Sequence, residues 1–178
     1  MSESDADGAV AALRTQLAGV VQQLTEGGIA TEPLAEFVPA RRVALVFRRD
    51  SRLVEIARVW RLGVLLVDTE THLFTSGETT RAVDPGWPQY QAQSMEVRRE
   101  YRAAAVRSRF PEGATVNINA TPIDVSVDGL TDAVGVVFLH DGHVRVRWSA
   151  HVADENAMPI GGYLSEHAEL LLHPVEGA

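Results

Sequence analysis

Between residues 43 and 83 the chain alternates short apolar runs with short polar turns, and this spacing restricts the fold more than any other feature. Turns of about four residues suit hairpins, whereas a parallel crossover needs about a dozen. The runs 43–47, 53–57, 59–67 and 73–80 are therefore expected as strands of an antiparallel meander, with polar turns at 48–51 and 68–71.

Helical periodicity flanks this region. Val10, Leu13, Leu17, Val20, Val21 and Leu24 form one apolar stripe, predicting a helix over residues 6–24. Asp5 or Asp7 caps its start and Gly27-Gly28 ends it. Residues 29–40, with Pro33 and Pro39, read as a connection, and Asp84-Pro85-Gly86-Trp87-Pro88 breaks the strand pattern. A second helix is expected over 89–109, with Tyr90, Val97, Tyr101, Ala104 and Ala105 on one face. Residues 115–118 and 123–127 read as strands around Pro122, which marks an edge or a bulge. A last helix is expected over 162–172, stopped by Pro174. The expected fold class is α+β: an antiparallel sheet of about six or seven strands, meander plus hairpin with a barrel-like curl as one form, packed by three helices.

A chain of 178 residues buries roughly 70% of its unfolded surface in one core, so a single domain over 1–178 is expected, with 1–5 a disordered N-terminus. No apolar run approaches the ~18 residues of a membrane-spanning helix. The opening MSESDADGAV lacks the basic and apolar regions of a secretory signal. The chain has no cysteine, hence no disulfide, and the expected setting is the cytoplasm, as a soluble protein with no membrane partner.

Two missing residue types exclude much chemistry. Without cysteine there is no thiol nucleophile, thiolate metal site or iron–sulfur cluster. All 16 basic residues are arginine, which removes Schiff-base chemistry, the Ser-x-x-Lys pair and the phosphate-loop lysine. The net charge of −8 disfavours nucleic acid as a partner, because phosphate neutralisation dominates that affinity. Twelve arginines nevertheless lie in two blocks, seven in 41–61 and five in 98–109.

Residues 134–148 give the strongest local prediction, a hairpin turning at Asp141-Gly142, since Asp-Gly suits two central residues at positive φ. That turn pairs His140 with His143, Leu139 with Val144, Phe138 with Arg145, Val137 with Val146 and Val136 with Arg147. One face then holds Val137, Leu139, Val144, Val146 and Trp148 as core. The other holds His140, His143, Arg145 and Arg147 beside Phe138 and Val136. Two guanidiniums on alternate residues can present parallel donors to a carboxylate or phosphate, and a histidine adds a titrating hydrogen bond. The competing reading is a solvated face whose arginine stems cover Phe138. A metal site built on His140 and His143, with His151 or Asp154, is the weaker use of the same residues, and neither metal nor cofactor is expected. Asp124, Asp128 and Asp132 read as loop acids. Ser94, Ser108 and Ser165 lack a nucleophile motif.

Three stretches, Trp60-Arg61-Leu62-Gly63-Val64-Leu65-Leu66, Arg98-Arg99-Glu100-Tyr101-Arg102-Ala103-Ala104-Ala105 and Leu170-Leu171-Leu172-His173-Pro174, resemble a small family of uncharacterised actinobacterial proteins, some labelled glutaminase. The resemblance runs from about residue 55 onward and brings no catalytic residue with it. The glutaminase label conflicts with a chain that has neither the lysine nor the cysteine such chemistries use. The expected function is a non-catalytic domain binding a small anionic ligand or a protein partner, through Arg145, Arg147, His140 and His143. The alternative is a small amide or ester hydrolase using histidine with an acid or hydroxyl. A homodimer is compatible with either.

Overall fold

The structure, a computed structural model, describes residues 3–42, 48–84, 93–131, 134–149 and 151–174. The strand expected at 43–47, the break at 85–88, residues 89–92 of the expected second helix, and Asp132 lie outside the described residues.

In chain order the elements are α1 (Glu3–Glu26), β1 (Glu32–Val38), β2 (Arg41–Arg42), β3 (Arg48–Arg49), β4 (Arg52–Leu62), β5 (Leu65–Asp68), β6 (Leu73–Thr75) and β7 (Glu78–Arg81). They continue with α2 (Gln93–Arg107), β8 (Thr115–Ile118), β9 (Thr121–Pro122), α3 (Val127–Thr131), β10 (Val137–His140) and β11 (His143–Val146). A 3-10 turn (Asp154–Asn156), β12 (Met158–Pro159) and α4 (Ile160–Leu172) complete the chain. It divides into two compact units. Met1–Ala30, Trp60–Ser76 and Thr121–Ala178 form the first, and Thr31–Val59 with Gly77–Ala120 the second.

In the first unit the α1 stripe is buried as its spacing predicts. Val10, Leu13, Leu17, Val20 and Leu24 pack with Leu62, Leu65, Leu130, Val146 and Leu164 in one apolar core. Each fully buried leucine contributes roughly 1.5–3 kcal/mol relative to exposure. α1 takes in Glu3 to Asp5 and ends where the glycines require. Gly28 has φ +66, its N–H reaches Thr25 O at 3.0 Å, and Ile29 N reaches Leu24 O at 3.0 Å, a Schellman closure. Residues 53–57 and 59–67 are not two separate strands. β4 runs unbroken to Leu62, and the chain reverses at Gly63, whose φ is +61. A Cβ at Gly63 would overlap the Tyr163 hydroxyl, which itself accepts Val64 N–H at 2.8 Å. Residues 123–127 are likewise no strand: β9 ends at Pro122, at the edge its proline implies, and α3 begins at Val127. A three-stranded sheet, β10-β11-β12, completes this unit.

In the second unit the strand order is β7-β8-β1-β4. Residues 29–40 are more than a connection, because β1 sits inside the sheet, antiparallel to β4 and parallel to β8. Pro33 is tolerated at its second residue, since the ladder to β8 begins only at Leu34. The strand expected over 73–80 is also divided: β6 and β7 separate around Gly77, where a Cβ would overlap the Ile118 carbonyl. Ala35, Leu53, Ala104, Ala105, Val116 and Ile118 form this unit's core, with Tyr101 edge-on to Phe37 at 4.9 Å.

Through β4 the full hydrogen-bonding order reads β7-β8-β1-β4-β5-β6-β9. The α+β expectation therefore holds with three corrections. The large sheet is mixed through β1–β8, its order is open at β7 and β9 rather than closed as a barrel, and the described residues hold four helices instead of three. No described helix is long and apolar enough to cross a membrane.

Candidate ligand-binding cleft

Asp141 and Gly142 reverse the chain at φ 48° and 75°, both in the left-handed region that a two-residue hairpin of matching twist requires. The register is the one read from the sequence: Val137↔Val146, Phe138↔Arg145, Leu139↔Val144 and His140↔His143, with Arg147 N–H on Val136 O at 2.8 Å. Val137, Leu139, Val144 and Val146 are buried in the first unit's core. Trp148, expected on that face, is 52% exposed, because β11 ends at Val146 and the pleat no longer orients it.

The four polar residues of the opposite face do not all border one cleft. Arg147 is spent within the fold. Its Nε and Nη2 donate to Asp154 Oδ1 at 2.9 and 2.7 Å, its Nη1 donates to Gly135 O, and its Cζ lies 3.7 Å over the Phe138 ring. That arrangement straps the hairpin to the 3-10 turn and covers Phe138, as an arginine stem over an aromatic ring does. His140 sits at the turn with Nε2 3.4 Å from Asp141 Oδ2. His143 and Arg145 instead border an open cleft of about 670 Å³, with α1 and the start of α4 as its other walls.

That cleft gathers several anion-seeking groups. α4 starts after Pro159 with no side-chain cap and no acid in its first turn, so the first N–H groups, including those of Gly161 and Gly162, have no side-chain cap among the described residues. The helix dipole adds positive potential there. Gly161 is held close under Gln16: a Cβ at 161 would stand 2.6 Å from Gln16 Nε2. Across the cleft, Arg145 is anchored by Nη1 to Ala157 O at 2.9 Å, while its buried Nε–H has no partner among the described residues. The setting sharpens this. The first unit holds four arginines, Arg14, Arg61, Arg145 and Arg147, against fifteen acids. Yet no carboxylate stands within ion-pair distance of Arg145 among the described residues. Serine and histidine also share the cleft, as Ser165 and His143, without a hydrogen bond between them among the described residues.

Asp154, one of the two candidate third ligands for a metal alongside His151, is engaged by Arg147. Among the described residues no group of three or more His, Asp or Glu is placed to hold a metal ion. A different histidine, absent from the sequence-based candidates, has the shortest contact to a carboxylate among the described residues. His72 Nδ1 lies 2.8 Å from Asp68 Oδ2, and Asp68 Oδ1 also accepts the N–H groups of Glu70 and His72 at 2.9 and 2.8 Å. The hydrogen bond and charge of Asp68 hold the His72 imidazolium above its usual range. The signal was an Asp-x-x-x-His spacing across a predicted turn, which brings the two ends of a hairpin loop together. The chain matches no protein-family model, no curated protein and no solved structure, so the geometry itself carries the functional reading.

Proposed function

We propose that the protein is a binding domain for a small oxyanion, a carboxylate or phosphate group, seated between Arg145 and the opening turn of α4. The observation carrying this reading is the convergence of an arginine without a carboxylate partner and an uncapped helix start on one open cleft. Oxyanions are the group that both features bind best: guanidinium supplies charge-assisted donors, and first-turn N–H groups supply aligned ones. His143 and Gln16 add side-chain donors at the rim. The hydrolase alternative has Ser165 and His143 in the same cleft but no hydrogen bond to activate the hydroxyl, which leaves binding as the better-supported function.

The test is a thermal-shift panel of phosphate, sulfate, citrate and acetate at constant ionic strength, with KCl as control. At least one oxyanion should raise Tm in the parent chain, with no shift in Arg145→Met and an intact shift in Arg147→Met. A panel that matches KCl throughout, or a shift that survives Arg145→Met, would overturn the reading.

A further inference from the structure

A second cleft in the first unit, of about 570 Å³, lies beside the β5–β6 turn and the other flank of α1. Leu17, Leu73, Phe74 and Ile123 give it apolar lining, and four charged side chains border it: Arg14, His72, Glu70 and Asp124. They remain largely apart. Arg14 donates Nη2 to Val125 O at 2.6 Å, and no carboxylate lies within ion-pair distance of it among the described residues. Glu70 is 3.9 Å from His72 Nδ1, and that nitrogen is already bonded to Asp68 at 2.8 Å. His72 therefore keeps Nε2 for a ligand, with Nδ1 held by a buried carboxylate. The same loop holds Thr71 at φ +70, a conformation that disfavours a β-branched residue. Such strain persists where the surrounding structure demands the geometry, and it clusters at ligand sites.

We infer that this cleft binds an apolar α-amino acid as its zwitterion: carboxylate to Arg14 and His72 Nε2, ammonium to Glu70 and Asp124, and side chain on the apolar lining. An arginine, a histidine and two carboxylates around one apolar floor match the opposed charges that such a ligand carries, and they match a simple anion or a simple amine less well. This site is independent of the oxyanion cleft, sharing with it only α1. The upward shift of His72 caused by Asp68 agrees with the role, because it favours the imidazolium, the form whose Nε2 donates.

Calorimetric titration with L-leucine tests it against three truncated probes: 4-methylpentanoate, which lacks the ammonium, isoamylamine, which lacks the carboxylate, and glycine, which lacks the apolar body. Leucine should bind at least about tenfold more tightly than each, a difference of about 1.4 kcal/mol. Arg14→Met and Asp124→Asn should each weaken leucine by a similar factor while Arg145→Met leaves it unchanged. Both positions are exposed, so the pair guards against one variant misfolding. Equal binding of 4-methylpentanoate or isoamylamine, no heat with leucine, or a leucine affinity that follows Arg145 instead of Arg14 would overturn the assignment.

Discussion

Gly162 is the third residue of α4, exposed, with nothing within 4 Å of where a Cβ would stand. A helix needing only stability would not keep glycine there, since alanine is favoured by up to about 1 kcal/mol in helices. Gly162→Ala should therefore stabilise the chain by about 0.5–1 kcal/mol, or roughly 1–4 °C in Tm at this size. Gly162→Glu should add about 0.3–1 kcal/mol more, because its carboxylate sits at an uncapped, positively polarised helix start. The built-in carboxylate occupies the place assigned to the ligand, so the thermal shift produced by oxyanions should largely disappear. In the parent chain an anion at 100 times its Kd contributes about 2.7 kcal/mol. Differential scanning calorimetry of the three proteins with and without phosphate or citrate reads both effects. Gly162→Glu less stable than Gly162→Ala would refute the positive potential at this helix start. An undiminished oxyanion shift in Gly162→Glu would refute its place in the site.

Three other outcomes follow from the same contacts. Arg147→Met should destabilise by about 2 kcal/mol, measured by urea unfolding, because hydrogen bonds to a charged group contribute roughly 1.5–3 kcal/mol; an unchanged midpoint would sink the strap assigned to it. Thr71→Gly should stabilise by up to about 1 kcal/mol, since a left-handed L-residue costs roughly 1–2 kcal/mol and glycine's extra chain entropy returns part of that; a loss of stability would mean the Thr71 side chain supports the turn. His72 should titrate above its ordinary 6.5 by imidazole NMR, and Asp68→Asn should bring it down. Its folded value being raised, the stability it contributes is full below pH 6.5 and lost as pH rises through the folded value. A His72 titration unmoved by Asp68→Asn would rule out that pair.

What could be read from the chain alone was local. The Asp141-Gly142 hairpin carries its register in its own turn, so His143 and Arg145 were placed correctly before any long-range contact was known. The α1 stripe and its glycine stop are equally local. The larger departures from the sequence expectation depend on distant partners. Residues 29–40 look like a connection because they carry Pro33 and Pro39, while the parallel partner of Leu34 in β1, Asn117, lies more than eighty residues away. The continuous apolar texture of 59–67 concealed the turn at Gly63, which only the hydroxyl of Tyr163 explains. The same limit applies to the cleft. Alternation placed two arginines on one face, but the position of Asp154, which claims Arg147, is decided by a loop. Nor does any local pattern bring Gln16 and Gly161 to the wall facing Arg145.

Phosphate titrated into 15N-labelled protein, followed through the backbone amides, tests the oxyanion cleft most directly. The amides of Gly161 and Gly162 should move downfield and saturate together, along with the side-chain signal of Arg145 Nε. Movement confined to the arginine-rich α2 and β2–β3 residues, or none at Gly161 and Gly162, would contradict it.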